Sequence, residues 1–557
     1  MSVKQIRENG SATERWLLAA ALIIIVLLAN NARYLPLYPD EIAYKIFLER
    51  FFLNGGFKQS LTPYCTQGFL ADIPLPLIPA AIFWSALRWF GSGWLSYRLV
   101  PLAALGATIG LLTVNGWRKG DVGIWRTLLL IATGPAVYGL VILRPEILTL
   151  FGGLVLFLLA RRLSEPASTS TILVSTVISL FVFSLVAFVH PKALYLSPLL
   201  LIGLYFGSCG IKTNKYRLVL FGCMTLVAFS LIISALSLHQ LQFLTCPEVP
   251  AIERNMSIQS VNIVDAILRP CRFLSTLKIA FSAETFSATI TQVQFKPNYP
   301  FNYLPDSISG DLLTNITNVA ILAGLASAII YIMVKFFLLA CTSRDTKTRK
   351  ELILIAALGA GFGTPMAFNL TRYWYEIAFM IGGITLLAAL IRPIPLSWSG
   401  LRPFQPAFDI VAGIGTFIIA ILTLVVIQTL LTPKLMKGFE GPGVTIFTDQ
   451  ARVAVAVSNL LVKYKIETSE PIILDDNTYE TLSSHPVVIP ITYLGKAFPS
   501  VDLLKATLAR NGVHFSLTAC NVTSILTALK WKLLEETGGV DGKSFCLFTD
   551  KDGPAAR

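Results

Sequence analysis

Charged side chains are scarce in this 557-residue chain, at 14% of positions, whereas 54% are apolar. An average soluble domain carries about 25% charged residues, so a cytosolic enzyme of ordinary composition is excluded. Cysteine is sparse too, and the eight present include no CxxC pair, which argues against a zinc ribbon or a dithiol redox centre. Neither a GxxxxGK[ST] loop nor an HExxH pair occurs, so ATP-driven transport and zinc hydrolysis have no motif to rest on. Internal repeats are absent as well.

What is present is a series of apolar blocks, each near the roughly 17–25 residues that cross a bilayer. They fall at about 16–32, 74–90, 98–117, 125–142, 146–160, 172–190, 193–207, 217–238, 316–340, 351–369, 374–391 and 408–431. The first follows Lys4, Arg7 and Arg15 and has no cleavage site after it, so it is expected to be an uncleaved helix with its N-terminus in the cytoplasm. The net charge of +13 then sorts by position. The clusters Arg118/Lys119, Arg161/Arg162, Lys212/Lys215/Arg217, Arg344 to Lys350 and Arg392/Arg402 share the cytoplasmic side only if one early block fails to cross. The Pro-rich block 74–90, with Pro74, Pro76 and Pro79 and with Trp84, Arg88 and Trp89 at its far end, suits a juxtamembrane helix lying at the interface.

The fold class expected is therefore a polytopic α-helical membrane protein with about eleven transmembrane helices plus juxtamembrane helices. Residues 1–431 form the transmembrane domain, with outer loops at about 34–97 and 239–315. Residues 432–557 form an extracytoplasmic α/β domain. In it, strand-like runs Val444 to Phe447, Ile472 to Leu474, Val487 to Ile491, Val513 to Leu517 and Phe545 to Phe548 alternate with helix-like runs Ala451 to Tyr464, Val501 to Ala509 and Val522 to Glu536. Ser500 and Asn521 stand as N-caps and Gly512 as a C-terminal helix glycine. On this topology Cys246 with Cys271, and Cys520 with Cys546, either pair as disulfides or remain buried thiols, and Cys65 is left over.

Charge placed at span ends asks for a functional reading. Asp40 and Glu41, followed by Tyr44, come directly after the first span. Arg144-Pro145-Glu146 and His190-Pro191-Lys192 stand at corners between spans, and Arg372-Tyr373 opens the span 374–391. Each alone fits an N-cap, a snorkelling cation or an aromatic-belt residue. Together they fall on one outer face, which the bland explanation does not require. A carboxylate with several cations at one membrane surface suits transfer from an anionic lipid-linked leaving group to a hydroxyl: the carboxylate takes the acceptor proton, and Arg and Lys stabilise the departing phosphate.

The acidic pair after the first span, the block Pro74 to Gly93, the segment Tyr97-Arg98-Leu99-Val100-Pro101, the Arg144-Pro145-Glu146 corner, Lys192 followed by Leu194 to Pro198, and Arg372-Tyr373 resemble the GT-C type integral-membrane glycosyltransferases. The lipopolysaccharide-core glycosyltransferases, lipid A aminoarabinose transferases and protein O-mannosyltransferases are similar in pattern. The resemblance covers about 16–391 and implies inverting transfer of a sugar from a polyprenyl-phosphate donor to a glycolipid, glycan or protein acceptor at the outer face of a bacterial inner membrane. It implies Asp40 as catalytic base, with Glu41 as a substrate contact or the true base. Arg372, Lys192 and Arg144 would hold the donor phosphate, with Tyr44, Arg98, Glu146, His190 and Tyr373 also in the cleft. Two departures stand out: Pro74-Leu75-Pro76-Leu77 replaces a Pro-Pro-Leu, and His190-Pro191 precedes the lysine where many relatives carry alanine or serine.

No motif assigns a cofactor; Asp40, Glu41 and Glu146 could hold a divalent cation, although hard cations usually want more oxygen ligands than these positions provide, and metal ligands are otherwise unknown. Partners are the lipid bilayer, the lipid-linked donor and the acceptor, and no nucleic acid. The alternatives are a transporter or flippase of a lipid-linked or amphipathic anion and, more blandly, an assembly subunit. A transporter would place charge near the bilayer midplane and often shows a repeat.

Overall fold

The structure is a computed structural model. It describes residues 94–118, 140–141, 143–189, 191–211, 214–244, 312–368, 374–392, 450–467, 470–474, 488–490, 500–510, 512–520, 524–537 and 544–551, with isolated positions among 19–30 and at 89, 394 and 478.

Among the described residues, eight long helices build the membrane part: α1 (Trp94–Arg118), α2 (Pro145–Ser164), α3 (Thr169–Val189), α4 (Ser197–Cys209), α5 (Asn214–Leu244), α6 (Leu312–Thr342), α7 (Thr346–Phe368) and α8 (Trp374–Ile391). Local chemistry sets their ends. Pro145 occupies the first turn of α2, where its missing N–H is no loss, and it holds Arg144 in an extended conformation at φ −134°. Arg161 and Arg162 close the same helix, complementing its dipole. Ser168 caps α3, its hydroxyl accepting from the Thr171 N–H at 3.3 Å. Asp345 caps α7, accepting from the N–H groups of Lys347 at 3.2 Å and Thr348 at 3.0 Å.

At 1.5 Å per residue α2 rises about 30 Å, the thickness of a hydrocarbon core. Four described segments, Leu95–Gly116, Pro145–Ser164, Thr169–Phe188 and Lys192–Cys209, are long and apolar enough to cross a membrane. Their neighbours carry the matching outer surface. Val174, Val177 and Phe181 on α3, and Ile330, Met333 and Phe337 on α6, stand exposed at helical spacing, an apolar stripe suited to lipid.

Inside, α2 is the helix that α1, α3, α4, α7 and α8 pack around. Small residues allow the close approach. A methyl at Gly152 would run into Val186 Cγ2, one at Gly153 would stand 2.8 Å from Phe362 Cζ, and one at Gly382 2.7 Å from Leu150 Cδ1. On α4, a methyl at Gly203 would meet Ala160 Cβ at 2.7 Å.

Side-chain links fix helix directions. Arg161 near the end of α2 donates to Asn115 Oδ1 near the end of α1 at 2.6 Å, so these two helices run parallel. Lys350 in the first turns of α7 donates to the Ser164 carbonyl at 3.2 Å, so α7 runs antiparallel to α2. Lys335, late in α6, donates to the Arg392 carbonyl just after α8. One end of the bundle thus gathers Arg161, Arg162, Lys350 and Arg392, members of the basic clusters; Arg98, Arg144 and Glu146 stand at the starts of α1 and α2, at the opposite end.

The expected spans 98–117, 146–160, 172–190, 217–238, 316–340, 351–369 and 374–391 all meet helices, each helix equal to or longer than its block. The block 193–207 differs: it opens as a 3-10 turn over Pro191–Leu196, with Pro198 in the first turn of the α4 that follows. Leu140 and Val141, at the end of the block 125–142, stand in a turn. The block 408–431, all of 74–90 but position 89, most of 16–32, and the rest of 125–142 lie outside the described residues.

The C-terminal region is a five-stranded sheet with helices. Its elements are α9 (Gln450–Lys463), β1 (Ile472–Leu474), β2 (Val488–Pro490), α10 (Val501–Arg510), β3 (Phe515–Ala519), α11 (Ser524–Ala528), β4 (Lys532–Glu536) and β5 (Phe545–Thr549). The strand order is β2-β1-β3-β5-β4, with β2, β1 and β3 parallel and β5 antiparallel to both β3 and β4. Ile472, Leu474, Leu517 and Leu547 form a core with Val457, Leu460 and Leu461 of α9. The expected pairing of Cys520 with Cys546 is present, joining β5 to the end of β3. Cys65, Cys246, Cys271, Asn521 and the run Val444 to Phe447 lie outside the described residues.

One expectation is corrected. The run Val522 to Glu536 is not one helix: α11 covers Ser524–Ala528, and Lys532–Glu536 is strand β4. Lys530 turns left-handed at φ 59°, and the Trp531 N–H reaches back to the Leu526 carbonyl at 3.0 Å, which ends the helix. The fully buried strand β5 then takes Lys532–Glu536 as its partner, satisfying backbone groups that helix propensity alone ignores.

Candidate functional site

Arg98, Arg144, Glu146 and Lys192 are described; Asp40, Glu41, Tyr44, His190, Arg372 and Tyr373 lie outside the described residues. Three of the four meet at one point. Glu146 sits in the first turn of α2, where a negative charge faces the positive end of the helix dipole. Its carboxylate side chain is fully buried. Arg144, turned out of the helix by Pro145, donates from Nε to Oε2 at 3.2 Å and from Nη2 to Oε1 at 3.4 Å. Lys192, in the 3-10 turn, donates from Nζ to Oε1 at 3.0 Å, closing a contact across 46 residues of sequence. The two cations are themselves mostly covered, with side chains 9% and 13% exposed.

The turn carrying Lys192 is seated on α7. A methyl at Gly361 would come within 2.9 Å of Leu196 Cδ2 and 3.0 Å of the Tyr195 carbonyl oxygen, so only glycine lets α7 support this turn without moving it. Ala193 and Leu196 are buried beneath. Arg98 lies in the first two turns of α1, wholly buried beside the equally buried Tyr97; because α1 and α2 run parallel, it belongs to the same end of the bundle as Glu146.

Two cations against one carboxylate leave this cluster with a net positive charge, and Arg and Lys are the side chains that pair with phosphate and carboxylate oxygens. A carboxylate already gripped by two cations is poorly placed to ligate a divalent cation. Among the described residues the His, Cys, Asp and Glu group compact enough for a metal is Cys520, Glu536 and Cys546, and its two thiols are joined as a disulfide.

Sequence reasoning missed Lys335. It is buried within an apolar block, donates to the Arg392 carbonyl and to the Tyr331 hydroxyl at 3.1 Å, and lies 5.6 Å from the Tyr331 ring centroid. A lysine inside a run of apolar residues was the available signal. Its place is the same end as the basic clusters, where it holds the carbonyl end of α8.

No family model matches the sequence, and no curated protein does. Solved structures do. ArnT from Cupriavidus metallidurans bound to undecaprenyl phosphate superposes with a TM-score of 0.50 at 12% identity, covering 96% of this chain and 98% of that one. The chain has the ArnT fold. The apo state of the same protein covers the same shares at the same identity with a TM-score of 0.41. The fold class expected from the sequence, a bundle of apolar helices long enough to span a membrane with a C-terminal α/β region, is the one observed. On this ArnT fold the Glu146 cluster occupies the end of the bundle away from Arg161 and Lys350.

Proposed function

We propose that the chain is a GT-C type glycosyltransferase that moves a sugar from a polyprenyl-phosphate donor to a glycolipid, glycan or protein acceptor at the outer face of the membrane, with inversion. The observation that carries this reading is a buried arginine, glutamate and lysine cluster at the bundle end remote from the basic clusters, on an ArnT fold whose match covers 96% of the chain. The ArnT structure that matches holds undecaprenyl phosphate, a lipid of the class the reading requires. The basic clusters face the cytoplasm by the positive-inside rule, which puts Arg98, Arg144, Glu146 and Lys192 outside. Residues 1–431 then supply the catalytic domain and 432–557 an extracytoplasmic domain.

In the reaction the acceptor hydroxyl oxygen attacks the anomeric carbon as the bond from that carbon to the phosphate oxygen breaks. The proton of the hydroxyl passes to Asp40, or to Glu41 beside it. Negative charge gathers on the phosphate that remains on the lipid, where Lys192, Arg144 and Arg372 stabilise it. Holding two membrane-associated reactants in line lowers the barrier further. A flippase would instead bury its charges at mid-depth, whereas Glu146 stands in the first turn of a spanning helix and Lys192 at the start of one.

The test is transfer of labelled sugar from polyprenyl-phosphate hexose and pentose donors in membranes. Asp40→Asn or Glu41→Gln should abolish transfer; full transfer by both variants removes the assignment. A cysteine near residue 500 should react with an impermeant reagent from outside. Labelling only after permeabilisation would overturn the sidedness.

A further inference from the structure

Glu146 is acidic, buried and at the candidate site, which invites the role of proton acceptor. Its contacts point elsewhere. Both carboxylate oxygens accept from cations: Oε2 from Arg144 Nε at 3.2 Å, and Oε1 from Arg144 Nη2 at 3.4 Å and Lys192 Nζ at 3.0 Å. A general base needs a lone pair turned towards the proton it will take, within hydrogen-bond reach of the substrate. Here the oxygens are turned to the protein's own cations, and the side chain has no exposure.

What this carboxylate does accomplish is spatial. Arg144 belongs to the entry of α2 and Lys192 to a separate turn, 46 residues further along the chain. Sharing Oε1 confines the Lys192 Nζ and the Arg144 Nη2 to less than the sum of two hydrogen-bond lengths, close enough for one phosphoryl group to span them. Burying three ionised groups is costly, and apolar residues of similar volume are often as stable. A role in shaping an anion site accounts for a cluster that stability alone does not require.

We propose that Glu146 is a positioning residue: it clamps Lys192 and Arg144 as a pair that receives the phosphate of the lipid-linked donor, and it takes no proton in transfer. This rests on the reading of the chain as a polyprenyl-phosphate-dependent transferase.

The experiment measures binding of undecaprenyl phosphate to the purified full chain in lipid nanodiscs, for wild type, Glu146→Gln, Glu146→Asp, Lys192→Gln and the Glu146→Gln/Lys192→Gln double variant. Thermal unfolding of each variant is followed in parallel to establish that it is folded. Loss of a charge-assisted contact of this kind corresponds to roughly tenfold in Kd, and groups acting as a unit give non-additive losses. Glu146→Gln should weaken binding about tenfold, Glu146→Asp should recover part of it, and the double variant should bind no worse than Lys192→Gln. A Glu146→Gln chain that binds like wild type, or losses that add in the double variant, overturns the proposal. If Glu146→Gln does not fold, the Glu146→Asp variant decides, since a charge held one methylene too far must still weaken binding if the clamp matters. Absence of binding by the wild-type chain removes the underlying reading and this inference with it, whereas wild-type binding with an unaffected variant removes the inference alone.

Discussion

The two ends of α2 carry two charged clusters built from similar parts to different effect. At its C-terminal end Arg161 bonds Asn115 on α1 and faces Glu351 on α7 at 3.8 Å, with its side chain 21% exposed. At its N-terminal end Glu146 is sealed between Arg144 and Lys192. Both placements obey the helix dipole, cations at the carbonyl end and an anion at the amide end. Position in the dipole therefore explains why the signs are where they are, and burial is what distinguishes the two clusters.

That contrast is open to attack at several strengths. The largest effect should come from Glu146→Ala, which removes the carboxylate that two buried cations share and should lower stability by about 3–5 kcal/mol, read by thermal unfolding in detergent. A change within error would mean that the cluster is not sealed from water. Next is Gly361→Ala, where the added methyl has no room beneath the Lys192 turn; overpacking of this kind costs about 1–3 kcal/mol and should also weaken undecaprenyl phosphate binding. Gly359→Ala on the same helix, which among the described residues would meet Leu387 methyls at 3.5 Å and 3.8 Å, should leave binding intact.

At the other end, Arg161→Ala leaves the buried Asn115 oxygen without this donor close to water, and about 1 kcal/mol is expected with no change in lipid binding. Parity between this variant and Glu146→Ala would erase the distinction between the ends. The smallest effect is a pH dependence at the start of α7. The N–H groups of Thr348 and Lys347 hold the Asp345 carboxyl below its ordinary value. Its cap is fully formed above the ordinary aspartate range and is lost as pH falls through the depressed value. Protection of the Thr348 amide against hydrogen exchange, relative to its intrinsic rate at each pH, should fall in acid, and Asp345→Asn should flatten that dependence.

Much of the membrane part was legible because the bilayer demands long apolar runs, and the runs in this chain are separated by charge and proline. The Glu146 contact with Lys192 was not legible, since it depends on how α2 and the following turn pack, and no spacing in sequence encodes a partner 46 residues away. In the C-terminal region three helices end alike. Gly512, Lys465 and Lys530 each turn left-handed, and the buried residues after them, Val513, Ile466 and Trp531, reach back to carbonyls of the last turn. Glycine announced only the first of these endings. The lysine at 530 carried no such mark, and so α11 and β4 ran together as one predicted helix.

The close contacts along α2 have a mechanical meaning. Gly152 is held by Val186, Gly153 by Phe362, Ala160 by Gly203, and Leu150 by Gly382, so the helix is gripped on several sides at successive depths. A rod held this way neither slides nor turns without dislodging every neighbour. It is the stator of the described bundle: any neighbour that shifts does so around α2, and the Glu146 cluster at its head stays in place.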